Sequence, residues 1–252
     1  MRARAIDLAR RAGALLVDYL GRPRQLDHKG RFDLVTDADR ASEALIVGEL
    51  AAAYPDHAIF AEEGSGSRHE AAIRWTIDPL DGTTNYAHGF PYFSVSIAAL
   101  EGETPILGVV YAPLLDALFV AERGAGATCN NRPLRVSVIP TLERSLLSTG
   151  FPYTYASIER NNLTQFDAAQ RRCQGVRRAG SAALDLAYVA AGNLEAHWEY
   201  GLNAWDSAAG ALLVTEAGGR ITTCDGLAWT PFGPSMLASN GAVHAELLEI
   251  LD

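Results

Sequence analysis

From residue 3 to residue 20 apolar side chains recur at helical spacing. Ile6, Ala9, Leu16 and Leu20 share one face, with Arg10, Arg11 and Asp18 mostly elsewhere. Residues 39–53 predict a second helix whose buried side is Leu45, Ile46, Leu50 and Ala53, and Tyr54-Pro55-Asp56 reads as its stop. The texture then changes to strands. Segments 57–60 and 74–77 are short, and each runs straight into acidic residues. Segments 93–100, 106–111 and 117–121 are rich in Val, Ile, Phe and Tyr. Pro113–Asp116 reads as a hairpin turn between the last two, and Asn130-Asn131 suits another because asparagine tolerates left-handed backbone angles. Helices followed by a largely antiparallel sheet predict an α+β unit.

The second half alternates. Strands are expected at 146–148, 195–200, 220–223 and 236–239, and helices at 157–170, 181–191, 204–217 and 243–251. Gly192-Asn193 and Gly218-Gly219 close two of these helices in the manner of C-terminal caps. Strand–helix alternation favours a layered α/β arrangement. The interruption around Pro140 places a boundary near 138–142. It divides an N-terminal part (1–138) from a C-terminal part (139–252), with one active site shared between them.

Composition narrows the function. The 252 residues are 48% hydrophobic and 20% charged, an ordinary globular balance. A net charge of −9 disfavours non-specific binding to nucleic acid or an anionic membrane, both of which need a basic surface. Cys129, Cys173 and Cys224 are odd in number and widely separated, which argues against a disulfide framework or a thiolate zinc site. No apolar run is long enough for a signal peptide or a membrane span, so the expectation is a cytoplasmic protein.

Three carboxylate clusters fall at the ends of predicted elements: Glu62 with Glu63, Asp78 with Asp81, and Asp206. In Asp78-Pro79-Leu80-Asp81-Gly82-Thr83, Pro79 fixes the backbone between two aspartates and Gly82 permits a tight turn. Thr83 and Thr84 follow where a helix could begin. Carboxylates followed at once by exposed amide donors suit a hard metal ion with a phosphate beside it. The same residues also fit a plain reading, in which Asp78 caps one turn, Asp81-Gly82 forms another, Glu62 is solvated and Asp206 is a helix N-cap. Convergence would decide between the two. Two like charges about 4 Å apart cost roughly 4 kcal/mol at an effective dielectric near 20, so converging carboxylates need cations. Magnesium fits an all-oxygen set, and an acidic protein could then bind an anion through metal. The six histidines lack ligand spacing, and the glycine-rich stretches match neither the dinucleotide fingerprint nor the phosphate loop.

The segment from Trp75 to Tyr86, Trp-Thr-Ile-Asp-Pro-Leu-Asp-Gly-Thr-Thr-Asn-Tyr, closely resembles the first signature of the inositol monophosphatase family. Trp205-Asp206-Ser207-Ala208-Ala209-Gly210 through Glu216-Ala217-Gly218-Gly219 resembles the second. Asp33 to Asp39, Ala61-Glu62-Glu63 and Gly180 to Ala183 follow in family order. The resemblance implies a layered α-β-α-β-α fold and two or three Mg²⁺ ions held by Glu62, Asp78, the Leu80 carbonyl, Asp81 and Asp206. It implies phosphate held by the Gly82 and Thr83 amides, and an attacking water activated by Glu62 with the Thr83 hydroxyl linked to Asp39. Ser181, Ala182 and Glu199 match positions that line or bind the polyol, while Asn203 stands where some animal relatives carry histidine. Lys29 is expected on a loop near the site, where solvation is the plainer reading.

The implied substrate is a small phosphorylated polyol or sugar, with inositol 1-phosphate first. Fructose-1,6-bisphosphatase, histidinol-phosphatase and 3′-phosphoadenosine 5′-phosphate phosphatase chemistries are the alternatives. Lithium sensitivity and a homodimer are implied as well. The alternative of another class is a regulatory protein-binding module in a transcription complex.

Overall fold

The computed structural model describes residues 1–21, 26–28, 34–67, 69–152 and 161–251. Lys29, Asp33 and the first part of the helix expected at 157–170 lie outside them.

Helix α1 (Arg2–Tyr19) buries Ala5, Leu8, Ala9, Ala12 and Leu16, one row at i, i+3, i+4 spacing. Ile6 and Leu20, expected on that face, are only half-buried, because they lie to the side of the row Ala5, Leu8, Ala9, Ala12 and Leu16 that faces the core. Strands β1 (Leu26–His28) and β2 (Leu34–Thr36) pair antiparallel. Helix α2 (Asp37–Ala53) starts at a capping box: the Thr36 hydroxyl accepts from the Ala38 and Asp39 amides, and the Asp39 carboxylate accepts from the Thr36 amide. Its buried face is Asp39, Ser42, Glu43, Ile46 and Leu50, not the apolar stripe expected, with Leu45 half-buried and Ala53 exposed. Three polar side chains displace the apolar ones because this face looks at the site rather than only at the core.

A seven-stranded sheet follows. Strands β3 (Ala58–Ala61) and β4 (Ile73–Asp81) are parallel. Helix α3 (Thr83–Ala87) comes next. The sheet continues antiparallel through β5 (Ser94–Glu101), β6 (Thr104–Ala112), β7 (Ala117–Glu122), β8 (Gly126–Cys129) and β9 (Arg132–Pro133). Leu80 and Asp81 belong to β4 and do not follow it as a free turn. Strands β8 and β9 were too short and too rich in turn residues to be legible.

The C-terminal elements are β10 (Leu146–Thr149), α4 (Leu163–Gln170), β11 (Gly175–Arg177), α5 (Ala182–Ala190), β12 (Ala196–Tyr200), α6 (Ala204–Glu216), β13 (Arg220–Thr222), β14 (Ser235–Ser239) and α7 (His244–Leu251). The strands form a mixed five-stranded sheet in the order β11-β10-β12-β14-β13.

Three apolar clusters define the layers. One joins α1 and α2 to one face of the large sheet, with Trp75, Tyr86 and Phe93 among its members. The second places α5 and α6 between the two sheets, and the third covers the outer face of the small sheet with α4 and α7. The result is the α-β-α-β-α sandwich. Gly108 on β6 lets α6 close in, since a Cβ there would lie 2.7 Å from the Ala209 carbonyl oxygen. That approach brings the start of α6 to the end of β4. No helix among the described residues is long and apolar enough to cross a membrane.

Candidate active site

Residues three apart in a regular strand face opposite sides of the sheet. Asp78 and Asp81 escape that rule because Asp78 pairs with Ser96 and Asp81 with Ser94, so β4 carries one residue more than β5 between the two pairs. The bulge holds Pro79, which has no N–H to give to the ladder. One extra residue returns both carboxylates to the same side. Ser42 on α2 donates to the Pro79 carbonyl at 2.8 Å, and the Leu80 amide donates to Asp78 Oδ1 at 3.0 Å.

Parallel pairing sets the next acid. Ala61 is registered with Ile77, and the Glu62 amide donates to the Ile77 carbonyl at 3.1 Å, which sets Glu62 beside Asp78. Buried Glu43 fixes the loop that follows by accepting from the Glu63 amide at 2.7 Å and the Ser65 amide at 2.9 Å. Asp206 arrives on the first turn of α6, where its Oδ2 accepts from the Asn203 amide at 2.7 Å. Ser96, the partner of Asp78, donates to the Trp205 carbonyl at 3.0 Å and ties that turn over the bulge.

Gly82 begins α3 with φ at +97°, and a Cβ there would lie 3.0 Å from the Tyr92 carbonyl oxygen. Only glycine fits this turn without strain. The Thr83 hydroxyl lies 3.0 Å from Asp39 Oδ1 and 3.0 Å from the Leu80 carbonyl. The helical cap of α2 is thereby wired to the site. Asp81 is the most heavily bonded acid of the group. Its oxygens accept from the Ser181 hydroxyl, the Ala182 amide at 3.2 Å and the Ala183 amide at 2.8 Å at the start of α5. Ser181 and Ala182 therefore line the cleft with their donors already turned to Asp81.

These groups meet in one cleft of about 380 Å³ between the two sheets. Glu62, Asp78, Asp81, Asp185, Glu199 and Asp206 line it, with Leu80, Gly82 and Thr83. Arg178 is its single Lys or Arg side chain among the described residues. Burial, then the charges of Glu62, Asp81 and Asp206, pushes the Asp78 carboxyl well above the usual range. Burial and Glu62 do the same to Asp206, against the Asn203 amide. Asp81 is raised to about 6 by burial, tempered by its bonds to Ser181 and Ala183, and Asp39 to about 6 by burial, tempered by Thr36 and Thr83.

No three acid, imidazole or thiol groups among the described residues close into a metal cage. The set still suits magnesium. It is all oxygen, it is crowded with like charge, and magnesium binds through one or two carboxylates while retaining waters and substrate phosphate.

The profile described as "Inositol monophosphatase family" matches residues 1–252. The chain belongs to that family. A Synechocystis protein named inositol-1-monophosphatase is 46% identical over 242 residues, 95% of this chain and 84% of its own length. A Pseudomonas aeruginosa protein named Nus factor SuhB is 48% identical over 229 residues, 88% of this chain and 84% of its own. The crystal structure of extragenic suppressor protein suhB from Bartonella henselae superimposes with a TM-score of 0.93 at 39% identity, covering 99% of this chain and 97% of that one. Family membership and these relatives support phosphatase activity.

Sequence reasoning missed Ser42, Glu43, Gly150, Asp185 and His197. For Glu43 a signal existed: Asp39, Glu43, Ile46 and Leu50 form one helical stripe, so two acids share the side of two core residues.

Proposed function

We propose that the protein is a magnesium-dependent phosphatase whose first substrate is inositol 1-phosphate. The observation that carries this reading is the meeting of Glu62, Asp78, Asp81 and Asp206 in one cleft at the start of α3. The ions would be held by Glu62, Asp78, the Leu80 carbonyl, Asp81 and Asp206. Bound magnesium supplies Lewis acidity, lowering the pKa of water and neutralising charge on the phosphoryl group and the departing alkoxide.

The chain's own residues do the rest. The first N–H groups of a helix have no intrahelical acceptor, so the Gly82 and Thr83 amides receive phosphate oxygens. The Thr83 hydroxyl spends its proton on Asp39 or Leu80, which leaves its lone pairs to accept from the attacking water. Glu62 takes the second proton of that water as it attacks phosphorus in line. Glu199, on the opposite wall, accepts from hydroxyl groups of the leaving polyol.

Phosphate release from inositol 1-phosphate, fructose 1,6-bisphosphate, histidinol phosphate and 3′-phosphoadenosine 5′-phosphate, each with and without magnesium, tests the reading. Preferential, magnesium-dependent turnover of the first is expected, and absence of inositol phosphate hydrolysis overturns it. The second reading, a regulatory protein, rests on the name of the Pseudomonas relative. Asp206→Asn separates the two, since it abolishes hydrolysis and leaves a protein-binding role intact. A homodimer is the accompanying expectation, read by sedimentation.

A further inference from the structure

Strand β12 alternates, so His197 and Glu199 point to the same side of the small sheet. Glu199 reaches the cleft, but His197 is completely buried. A buried imidazole needs partners for both ring nitrogens. Nδ1 lies 3.0 Å from the Ser148 hydroxyl on β10 and 3.7 Å from Asp185 Oδ2 on α5. Nε2 lies 3.5 Å from Glu199 Oε2 and has no partner of good hydrogen-bond geometry. Asp185 in turn accepts from the Tyr92 hydroxyl at 2.6 Å. A line of polar groups, Tyr92–Asp185–His197–Glu199, thus joins two acids of the cleft lining, Asp185 and Glu199, through the buried ring.

Gly150 closes the other side. A Cβ built there would collide with all three atoms of the Glu199 carboxylate. The carboxylate therefore occupies the space a side chain at 150 would need, packed between bare backbone and the imidazole edge. A ring placed only to fill volume would be apolar. Here the unpartnered nitrogen is aimed at Glu199, the acid read as the acceptor for the hydroxyl groups of a polyol.

We propose that His197 is the positioning residue of Glu199, with Gly150 opening the space, so that substrate hydroxyl groups meet an acceptor of fixed place. This rests on reading the cleft as a polyol-phosphate site. Ser148 and Asp185 set the ring, and the ring sets the carboxylate. The electrostatics agree: burial alone would lower the His197 pKa, yet the Glu199 and Asp185 carboxylates outweigh it and the group is raised.

The test compares inositol 1-phosphate with 4-nitrophenyl phosphate, which offers Glu199 no hydroxyl. A Glu199 carboxylate that drifts from its place loses its hydrogen bond to the substrate hydroxyl, which predicts that His197→Phe lowers the ratio of the two kcat/KM values about tenfold, through KM for the polyol substrate. His197→Gln, which keeps an N–H donor, recovers most of it. Gly150→Ala, which leaves the imidazole alone and displaces the carboxylate, reproduces the loss. In a Glu199→Gln background His197→Phe adds nothing. Equal losses on both substrates, or additive losses, overturn the proposal.

Side-chain ¹⁵N NMR gives a readout independent of turnover. The Glu199 and Asp185 carboxylates favour the protonated His197 ring, so Glu199→Gln shifts its nitrogens toward a neutral ring relative to wild type at the same pH. A wild type that hydrolyses 4-nitrophenyl phosphate but shows no preference for a polyol phosphate overturns the functional reading. In that case, or if His197→Phe fails to fold, the NMR comparison decides the positioning claim, and unchanged His197 resonances in Glu199→Gln overturn it.

Discussion

Thr83 has one hydroxyl proton and two acceptors at 3.0 Å, so its oxygen is turned outward as an acceptor whichever partner it serves. Thr83→Ser keeps that arrangement and is expected to stay within a few-fold of wild-type kcat. On the proposed mechanism Thr83→Ala removes a preorganised acceptor for the attacking water, and it is expected to cost ~10²-fold in kcat with little change in KM. Steady-state kinetics on both variants checks it, and equal behaviour of the two rejects the role. The aspartates differ in the same residue-level way. Asp206 Oδ2 accepts from the Asn203 amide, and an asparagine carbonyl can do the same, so Asp206→Asn, which removes a proposed magnesium ligand, is expected to lose activity at unchanged stability. Asp81 accepts on both oxygens from Ser181, Ala182 and Ala183, so an amide must turn a donor toward a donor. Asp81→Asn is expected to lose activity and also about 1–3 kcal/mol of stability. Urea denaturation of both variants separates them.

At the scale of elements, the turn from β4 into α3 holds the geometry. Gly82→Ala must carry a side chain at a φ of +97° with the Tyr92 carbonyl 3.0 Å away, so it strains the backbone and shifts the Thr83 amide. A cost of roughly 1–3 kcal/mol is expected, together with a rise in KM for phosphate esters. A Gly82→Ala protein with wild-type melting and kinetics would contradict this account of the turn. The acids were legible because motif residues cluster at the ends of elements, with Pro79 fixing the backbone between two of them. The bulge itself was not, since spacing alone leaves Asp78 and Asp81 on opposite faces until the pairing with Ser96 and Ser94 is known. Nor was the polar face of α2, where Asp39, Ser42 and Glu43 are buried for the sake of a loop and a strand distant in sequence. Strands β8, β9 and β11, of two to four residues and rich in Gly, Pro or Arg, carry too little apolar pattern to be told from turns.

On the scale of the molecule, a layered fold has buried a set of acids where two sheets and the helices α2, α3, α5 and α6 meet. Asp39, at about 6, and Asp185, raised to about 7 by burial against the pull of His197 and Tyr92, are both above the ordinary 3.8. A carboxyl whose folded pKa exceeds its unfolded one binds more protons when folded, so stability falls as pH rises through that window. For these two groups the window runs from about pH 4 to about pH 7, and a two-unit shift corresponds to roughly 3 kcal/mol. His244, buried between Thr222 and Ser239 and lowered to about 4, has the opposite sign: its contribution is present above pH 6.5 and is lost as pH falls toward 4. Melting of metal-free protein should therefore decline from the acid side to neutrality, apart from the His244 contribution. Asp185→Asn, whose amide oxygen still accepts from Tyr92, should flatten that decline. Magnesium should raise the melting temperature more at pH 8 than at pH 5, because protons compete with it for the same oxygens. Equal stabilisation by magnesium at both pH values would mean that the ions bind elsewhere than among these carboxylates.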